Sequence, residues 1–244
     1  MNILFVLGVY PGQGGVEKVT TTLSNEFHIK GHHISIISFE QMDINLNDLN
    51  PNIKLYQLHY PVFSLKNILY IRKIIINNNI DIIINQWVVP FQVSLLCKMA
   101  IGKKSCKIIS VHHNLPNTNK RIKSIEYNID NNKGSKVLNT LKLHIVKLIS
   151  RFSLRLSFFI SDKFIVLSPS FIPIVQDFIF TKNNNKFQAI PNPLTISTDN
   201  NTIQIKEKEI IFVGRIENNQ KRIDRLIDIW EDLCTKYIDW RITI

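Results

Sequence analysis

The sequence predicts an α/β fold with a doubly wound parallel sheet, because short apolar strands alternate with amphipathic helices along its 244 residues. The first run, NILFVLG at residues 2–8, is too short for a buried helix and suits a central parallel strand that is covered on both faces. Residues 17–30 then carry apolar side chains at helical spacing, and residues 32–39 read as a second strand. Strand, glycine loop, helix and strand together make a βαβ unit.

The same alternation continues along the rest of the chain. Further strands are predicted at 53–59, 81–85, 106–112, 163–167, 209–215 and 240–244, and helices at 65–78, 89–101, 137–160, from Ser168-Pro169-Ser170 onward, and at 222–236. Residues 114–135 are polar, contain Pro116 and Gly134, and are predicted to form a loop. Because a strand stands at the very end with nothing after it to cover it, we expect the second α/β domain to be incomplete.

Composition limits the function classes without choosing among them. Lys and Arg exceed Asp and Glu by 30 to 19, which suits nucleic acid, a polyanionic surface or a phosphate-bearing small molecule, and equally a soluble basic enzyme. The sequence contains no aromatic-interleaved basic motif, so we expect no nucleic-acid partner. Three cysteines without CxxC spacing indicate neither a zinc site nor a disulfide framework, and the first residues lack the features of a signal peptide. These observations fit a cytoplasmic protein.

A glycine-rich loop follows the first predicted strand. Four of the eight glycines, Gly8, Gly12, Gly14 and Gly15, stand between that strand and the first helix. Such a loop lets backbone N–H groups approach a ligand, and the helix beginning near Glu17 directs its positive end toward an anion. The alternative is that the glycines only make a tight turn. The spacing matches neither the dinucleotide pattern GxGxxG nor the phosphate-binding pattern GxxxxGK[ST].

Five stretches in order and spacing resemble the family 4 retaining glycosyltransferases of GT-B fold, also called glycosyl transferases group 1. They are GGVEKV (14–19), SVHH (110–113), VLSPS (166–170), IPNPL (190–194) and FVGRIENNQKRIDRLIDIW (212–230). The resemblance runs from residue 2 to 244. It implies a Rossmann-like acceptor-side domain over 1–187, followed over 188–244 by a linker and the beginning of a nucleotide-sugar-binding domain.

The resemblance also implies roles for the cationic residues of the last of these stretches. Sugar transfer breaks the anomeric C–O bond while negative charge builds up on the departing diphosphate. Arg215 ends an apolar strand after Gly214, and Lys221 follows six positions on, across a turn from it. Together with the N-terminus of the next helix they can hold that charge. Arg222 stands where the family usually has glycine.

The remaining predicted site residues come from the first domain. His112 and His113 end the fifth strand, and only one of them is expected to face the cleft because side chains alternate along a strand. Ser-x-His spacing favours His112, and the following Asn114 favours His113. The resemblance implies that this histidine contacts the transferred sugar or acts near the anomeric centre. Gly14 and Gly15 are expected at the ligand, and Glu17 either bonds an acceptor hydroxyl or only stabilises the helix N-terminus.

The resemblance therefore predicts an enzyme that moves a hexose or N-acetylhexosamine from a nucleoside diphosphate sugar, a UDP-sugar first, to a growing glycan with retention of configuration. No separate cofactor is expected, and no metal, because a DxD pair is not evident. The alternatives are a non-catalytic truncated remnant or binding module and a GT-B sugar-nucleotide epimerase. Related enzymes carry a later E-x7-E pair that this chain does not reach, so we expect little or no transfer by the 244-residue chain alone.

A basic amphipathic helix is predicted over residues 137–160. His144, Lys147, Arg151 and Arg155 fall on one stripe of it, between apolar side chains. Such a helix can lie on an anionic bilayer, which would bring the protein to the inner face of the cell membrane and to lipid-linked glycan acceptors. The alternative is a core helix with a solvated charged stripe.

Overall fold

The computed structural model describes residues 1–43, 48–118, 120–131, 133–195, 207–214, 216 and 221–244. The chain divides into two compact units, the first of Met1–Pro116 with Lys147–Thr195 and the second of Asn117–Val146 with Ile196–Ile244. The predicted α/β class is confirmed, since the first unit is built on a seven-stranded sheet whose paired strands are all parallel. The predicted domain boundary after residue 187 stays a prediction.

Strands and helices alternate along the chain as the sequence pattern indicates. The strands are β1 (Asn2–Val9), β2 (His33–Glu40), β3 (Lys54–Gln57), β4 (Ile82–Asn85), β5 (Lys107–His112), β6 (Lys163–Val166), β7 (Phe187–Ala189), β8 (Glu209–Ile211) and β9 (Arg241–Thr243). The helices are α1 (Gly15–Ile29), α2 (Leu65–Asn77), α3 (Phe91–Ile101), α4 (Lys120–Asp130), α5 (Lys136–Ile160), α6 (Phe171–Ile179) and α7 (Ile223–Leu233), with a short 3-10 helix at Pro116–Thr118.

Helices cover both faces of the large sheet. Leu4 and Val6 of β1 pack with apolar side chains of α2 and α3. Ile3 and Phe5 point to the opposite face, where α1 supplies partly buried apolar side chains. Because successive strand residues face opposite sides, a strand covered on both faces must be apolar throughout. This explains why β1 shows an unbroken apolar run rather than alternation.

The strand order of the large sheet locates a crevice. The order is β3-β2-β1-β4-β5-β6-β7, so the chain runs outward in one direction from β1 and then returns to continue from β4. In open α/β sheets, ligands bind outside the carboxyl ends of the strands where the order reverses in this way. The loops after β1 and β4 therefore flank the expected binding crevice of the first unit.

The second unit contains a much smaller sheet. Its strands β8 and β9 pair in parallel, with α7 between them in sequence. Several apolar side chains of this part are largely exposed, among them Val213 at 89%, Ile216 at 80% and Ile238 at 87%. A two-stranded sheet needs further strands or packing to be stable by itself.

All three cysteines are free. Cys97 and Cys106 are buried in the first unit, and burial raises the pKa of these thiols to about 12 and about 11. Cys234 follows α7 and is half-buried.

Two sequence predictions about local structure are wrong. The stretch predicted as a loop over 114–135 contains α4, and Ile122, Ile125 and Ile129 lie in it at helical spacing, with Ile122 completely buried. The polar composition concealed this narrow apolar face. β7 was not predicted because a strand of three residues is too short to show a pattern.

Candidate functional site

Gly8 does not belong to the glycine loop. It lies within β1, where an added Cβ would come 3.0 Å from two atoms of the Trp87 indole ring. The indole is bulky and held between neighbours, so it cannot move aside cheaply. Gly8 is therefore explained by packing between β1 and the residues that follow β4, and the expectation that all four glycines share the loop is wrong.

The rest of the glycine loop leads into an open helix N-terminus. Gly14 is the N-cap of α1 with φ of −81°, an ordinary backbone conformation, and no side chain caps the helix there. An added Cβ at Gly15 would meet nothing within 4 Å. The first-turn N–H groups of α1 thus begin at the carboxyl edge of the sheet, where helix ends attract anions.

Glu17 folds back over this loop. An added Cβ at Gly14 would lie 2.2 Å from a carboxylate oxygen of Glu17, and one at Gly12 would lie 3.0 Å from its Cγ. A glutamate three residues after the N-cap commonly reaches back in this way, and its charge stabilises the helix N-terminus. Its negative charge at this point suits a hydroxyl better than a phosphate.

A cleft of about 450 Å³ opens beside the glycine loop. Gly12 and Gln13 line it together with Lys18, Thr21 and Asn25 from α1. Asn25 is held in place because its amide donates to the Asp48 carbonyl and its oxygen accepts from the Asn50 amide. The lining is rich in hydroxyl and amide groups.

The two predicted histidines have different surroundings. His112 ends β5, is 5% exposed and lies against the Phe164 ring at 6.4 Å between centroids. His113 is half-buried, and its Nε2 forms a 2.5 Å hydrogen bond with Oε1 of Gln86. Within the described residues, His112 Nε2 and His113 Nδ1 are buried without a hydrogen-bond partner. Which histidine meets a substrate stays a prediction.

Both histidines are neutral at physiological pH. Burial lowers the pKa of His112 to about 4, and the neighbouring His113 adds to the shift. Burial also lowers the pKa of His113 to about 4, although the nearby Asn192 side chain favours its protonated form. Asn192 belongs to the predicted Pro-Asn turn and makes no hydrogen bond of normal geometry to Nδ1. Neither ring can serve as a strong base.

Sequence reasoning missed Gln86, which joins His113 to the glycine-loop helix. Gln86 directly follows β4, is 6% exposed, and its backbone N–H donates to the Val6 carbonyl of β1. Its side-chain amide donates to Thr20 Oγ1 in α1 at 3.0 Å. The sequence does show a polar residue directly after an apolar strand, which could have drawn attention to Gln86. It does not show that β4 is the neighbour of β1, because strand order cannot be read from the sequence.

In the second unit, the structure brings together two of the predicted diphosphate residues. An added Cβ at Gly214 would lie 3.9 Å from Cδ of Lys221, so the lysine stem lies beside this glycine. Arg215 lies outside the described residues. Arg222 has φ of +49°, a conformation that favours glycine, and its guanidinium is paired with Asp224 at 2.8 Å.

The predicted basic stripe of α5 is partly occupied by internal contacts. Arg151 donates to the Phe178 carbonyl at 2.8 Å, and Arg155 donates to the Ile179 carbonyl at 3.1 Å. These are carbonyls at the C-terminus of α6, so the two arginines satisfy the helix end and its dipole. His144 bonds a carbonyl of its own helix. Across the part of the chain that the structure describes, no helix has the length and apolarity needed to cross a bilayer.

Comparisons with known proteins identify the family and a relative. A family model described as Glycosyltransferase Family 4 matches residues 13–197. An uncharacterized glycosyltransferase of Haemophilus influenzae is 25% identical over 237 residues, which cover 95% of this chain and 58% of that protein. The chain thus spans little more than half the length of this curated relative.

Solved structures agree on the fold. The crystal structure of WaaG, a glycosyltransferase involved in lipopolysaccharide biosynthesis, matches with a TM-score of 0.56 and 14% identity over 98% of this chain and 62% of that one. A glycosyltransferase from Rickettsia africae matches with a TM-score of 0.51 and 15% identity over 99% of this chain and 67% of that one. These neighbours confirm the predicted GT-B fold class. The family match covers most of the first unit, including the glycine loop and both histidines, and the chain belongs to glycosyltransferase family 4.

Proposed function

We propose that the protein transfers a sugar from a nucleoside diphosphate sugar, a UDP-sugar first, to a growing glycan, with retention of configuration at the anomeric carbon. Family membership supports transfer of a sugar. The observation that carries the donor class is Lys221, an exposed cation beside Gly214 at the end of β8 and directly before the N-terminus of α7. An exposed ammonium group beside a glycine suits the charge of a diphosphate, and the Asp224 carboxylate in the first turn of α7 is paired with Arg222.

The first unit is proposed to hold the acceptor and the transferred sugar. The cleft beside the glycine loop is lined by hydroxyl and amide groups, which match the hydrogen-bonding needs of a carbohydrate. Glu17 lies over the loop and can accept a hydrogen bond from an acceptor hydroxyl. Gly15, where an added Cβ would meet nothing within 4 Å, leaves room for a ligand at the start of α1.

The properties of the histidines bear on the route of the proton. In the proposed reaction the bond from the anomeric carbon to the diphosphate breaks, and the acceptor oxygen bonds to the same face of that carbon. The acceptor hydroxyl must lose its proton. A histidine with a pKa of about 4 is a poor base at pH 7, which favours the leaving diphosphate as the proton acceptor and His113 as a neutral hydrogen-bonding group.

Binding of UDP to this chain tests the donor class. Titration followed by phosphorus NMR detects weak complexes, and we expect the β-phosphate signal of UDP to shift on binding. Lys221→Ala removes a charge-assisted hydrogen bond and should weaken binding about tenfold or more. Lys236→Ala removes an equally exposed lysine from the same unit and should leave affinity unchanged. Equal affinity in wild type and Lys221→Ala would contradict the proposal.

We also propose that α5 contacts an anionic membrane, which would bring lipid-linked acceptors to the site. The helix carries no Asp or Glu between Lys136 and Ile160. Its large apolar side chains are at least 49% exposed at eight positions: Val137, Leu138, Leu141, Ile145, Leu148, Ile149, Phe152 and Phe159. An exposed apolar face flanked by cations without acids matches a bilayer with anionic headgroups better than a second copy of the same basic helix. WaaG, with a similar fold, acts in lipopolysaccharide biosynthesis.

Vesicle sedimentation tests this contact. We expect the protein to pellet with vesicles that contain phosphatidylglycerol and to stay in solution with phosphatidylcholine alone. Leu141→Glu, at a side chain 56% exposed on α5, should abolish pelleting. Leu69→Glu, at a side chain 52% exposed on α2, should leave it intact. Equal effects of the two substitutions would argue against a specific role for α5.

A further inference from the structure

We propose that Gln86 is a positioning residue that holds His113 in one neutral tautomer, with the proton on Nε2, and ties it to the glycine-loop helix. The three side chains involved come from the loop after β4, from the residue after β5 and from α1. All belong to the first unit, and the contacts run across the strand order reversal between β1 and β4. Gln86 lies outside the five stretches that carry the family resemblance.

The direction of the hydrogen bonds follows from Thr20. Its hydroxyl donates to the Val16 carbonyl at 2.8 Å in the first turn of α1. A hydroxyl has one proton, so toward Gln86 Thr20 Oγ1 can only accept. Gln86 must therefore turn its NH₂ group to Thr20, at 3.0 Å, and its carbonyl oxygen to His113.

The tautomer of His113 follows from the orientation of Gln86. A carbonyl oxygen accepts but cannot donate, so Nε2 of His113 must carry a proton to make its hydrogen bond. The ring is neutral, since burial lowers its pKa to about 4, and has no second proton. Nδ1 therefore keeps its lone pair, and it has no partner of normal geometry within the described residues.

This arrangement gives His113 a defined chemical role. Nδ1 becomes the ring atom that can accept a hydrogen bond from a sugar hydroxyl, beside the Asn192 side chain. The use of Nδ1 by a sugar rests on the proposed function, whereas the tautomer itself does not. The same bonds also connect the histidine to Val16 and so to the helix start that borders the glycine loop.

Nitrogen NMR of the histidine rings tests the inference without any substrate. Ring-¹⁵N-labelled protein is recorded at neutral pH by long-range proton–nitrogen correlation, and His113→Gln identifies the His113 signals. We expect the wild type to carry the proton on Nε2. Gln86→Leu should shift the pattern toward a mixture of both tautomers, while Gln86→Glu keeps an acceptor oxygen and should restore the Nε2 proton. Gln188→Leu, at an exposed glutamine of β7, should change nothing.

Two results would overturn the inference. One is a wild-type His113 with its proton on Nδ1, and the other is an unchanged tautomer in Gln86→Leu. If Gln86→Leu does not fold, Thr20→Val decides, because it removes the acceptor that orients the amide; a shifted pattern supports the relay and an unchanged one overturns it. Since these spectra need no UDP, failure here leaves the transfer proposal standing, and failure of UDP binding leaves the tautomer standing.

Discussion

Gln86 and His113 follow neighbouring strands of a seven-stranded sheet and are joined by a hydrogen bond, whereas Gly214 and Lys221 follow β8 of a two-stranded sheet, in a unit with largely exposed apolar side chains. The first pair is fixed by its own surroundings. The second pair has little apolar packing around it, since Val213 and Ile216 are largely exposed. The side chain of Gln86 therefore has fixed partners in the first unit, whereas the Lys221 side chain lies exposed to solvent.

The difference shows that buried and exposed polar groups are positioned by different means. A buried polar group needs a specific partner, so the first unit specifies its hydrogen bonds strictly. An exposed lysine exchanges freely between water and a ligand, and it needs a phosphate before its position matters. Three predictions, ordered from the largest to the smallest effect, test this contrast.

Removing a core side chain from the first unit should lower the free energy of unfolding far more than removing an apolar side chain from the second. Phe158 is 0% exposed and stacks on Phe187 at 4.7 Å between ring centroids. Phe158→Ala should lower the free energy of unfolding by about 3–5 kcal/mol. Ile229→Ala in α7, at a side chain 56% exposed, should change it by less than about 0.5 kcal/mol. Urea denaturation measures both, and losses of similar size would remove the contrast in packing.

Acid should weaken the first unit through its two buried histidines. The pKa of each falls from 6.5 to about 4 on folding. Above about pH 7 both rings are neutral in the folded and the unfolded chain, so they cause no pH dependence. As the pH falls from 6.5 toward about 4, only the unfolded chain takes up these protons. Each histidine then lowers the free energy of unfolding by about 1.4 kcal/mol per pH unit.

Denaturant midpoints measured across this pH range check the effect. His113→Gln should make the fall in the free energy of unfolding on acidification less steep, by the contribution of one histidine. His59→Gln, at an exposed histidine, should leave the slope unchanged. A slope unaffected by His113→Gln would mean that this ring takes up a proton in the folded protein.

The two kinds of glycine in the N-terminal region should respond oppositely to alanine. Gly8→Ala brings a Cβ to 3.0 Å from the Trp87 indole and should destabilise the protein by about 1–3 kcal/mol. Gly15→Ala meets nothing within 4 Å and should stabilise it by about 0.4–1 kcal/mol. Thermal unfolding measures both. A destabilised Gly15→Ala would mean that this glycine is needed for the fold and not only for a ligand.

Much of the fold was predictable because the hydrophobic pattern of a strand or helix lies in its own short stretch of residues. A strand covered on both faces must be apolar, which makes β1, β4 and β6 visible as short apolar runs. α4 was missed although its three isoleucines show helical spacing, since its polar residues outnumber them. The resemblance to family 4 glycosyltransferases also singled out both histidines and Lys221, whose roles stay predictions.

The relation between Gln86 and His113 could not be predicted in the same way. The two residues are 27 positions apart, and they meet only because β4 and β5 are neighbours in the sheet. Strand order depends on how helices pack over the sheet, which hydrophobic periodicity does not encode. Nor does periodicity reveal that Gly8 accommodates an indole ring rather than a ligand.

Because the three thiols are buried to different degrees, one native cysteine can be labelled before the other two. Thiolates are the reactive species, and Cys97 and Cys106 are both buried and almost fully protonated near neutral pH. A maleimide dye should therefore attach first to Cys234, which is more accessible and lies just after α7. A fluorophore there would report on the second unit without any engineered cysteine.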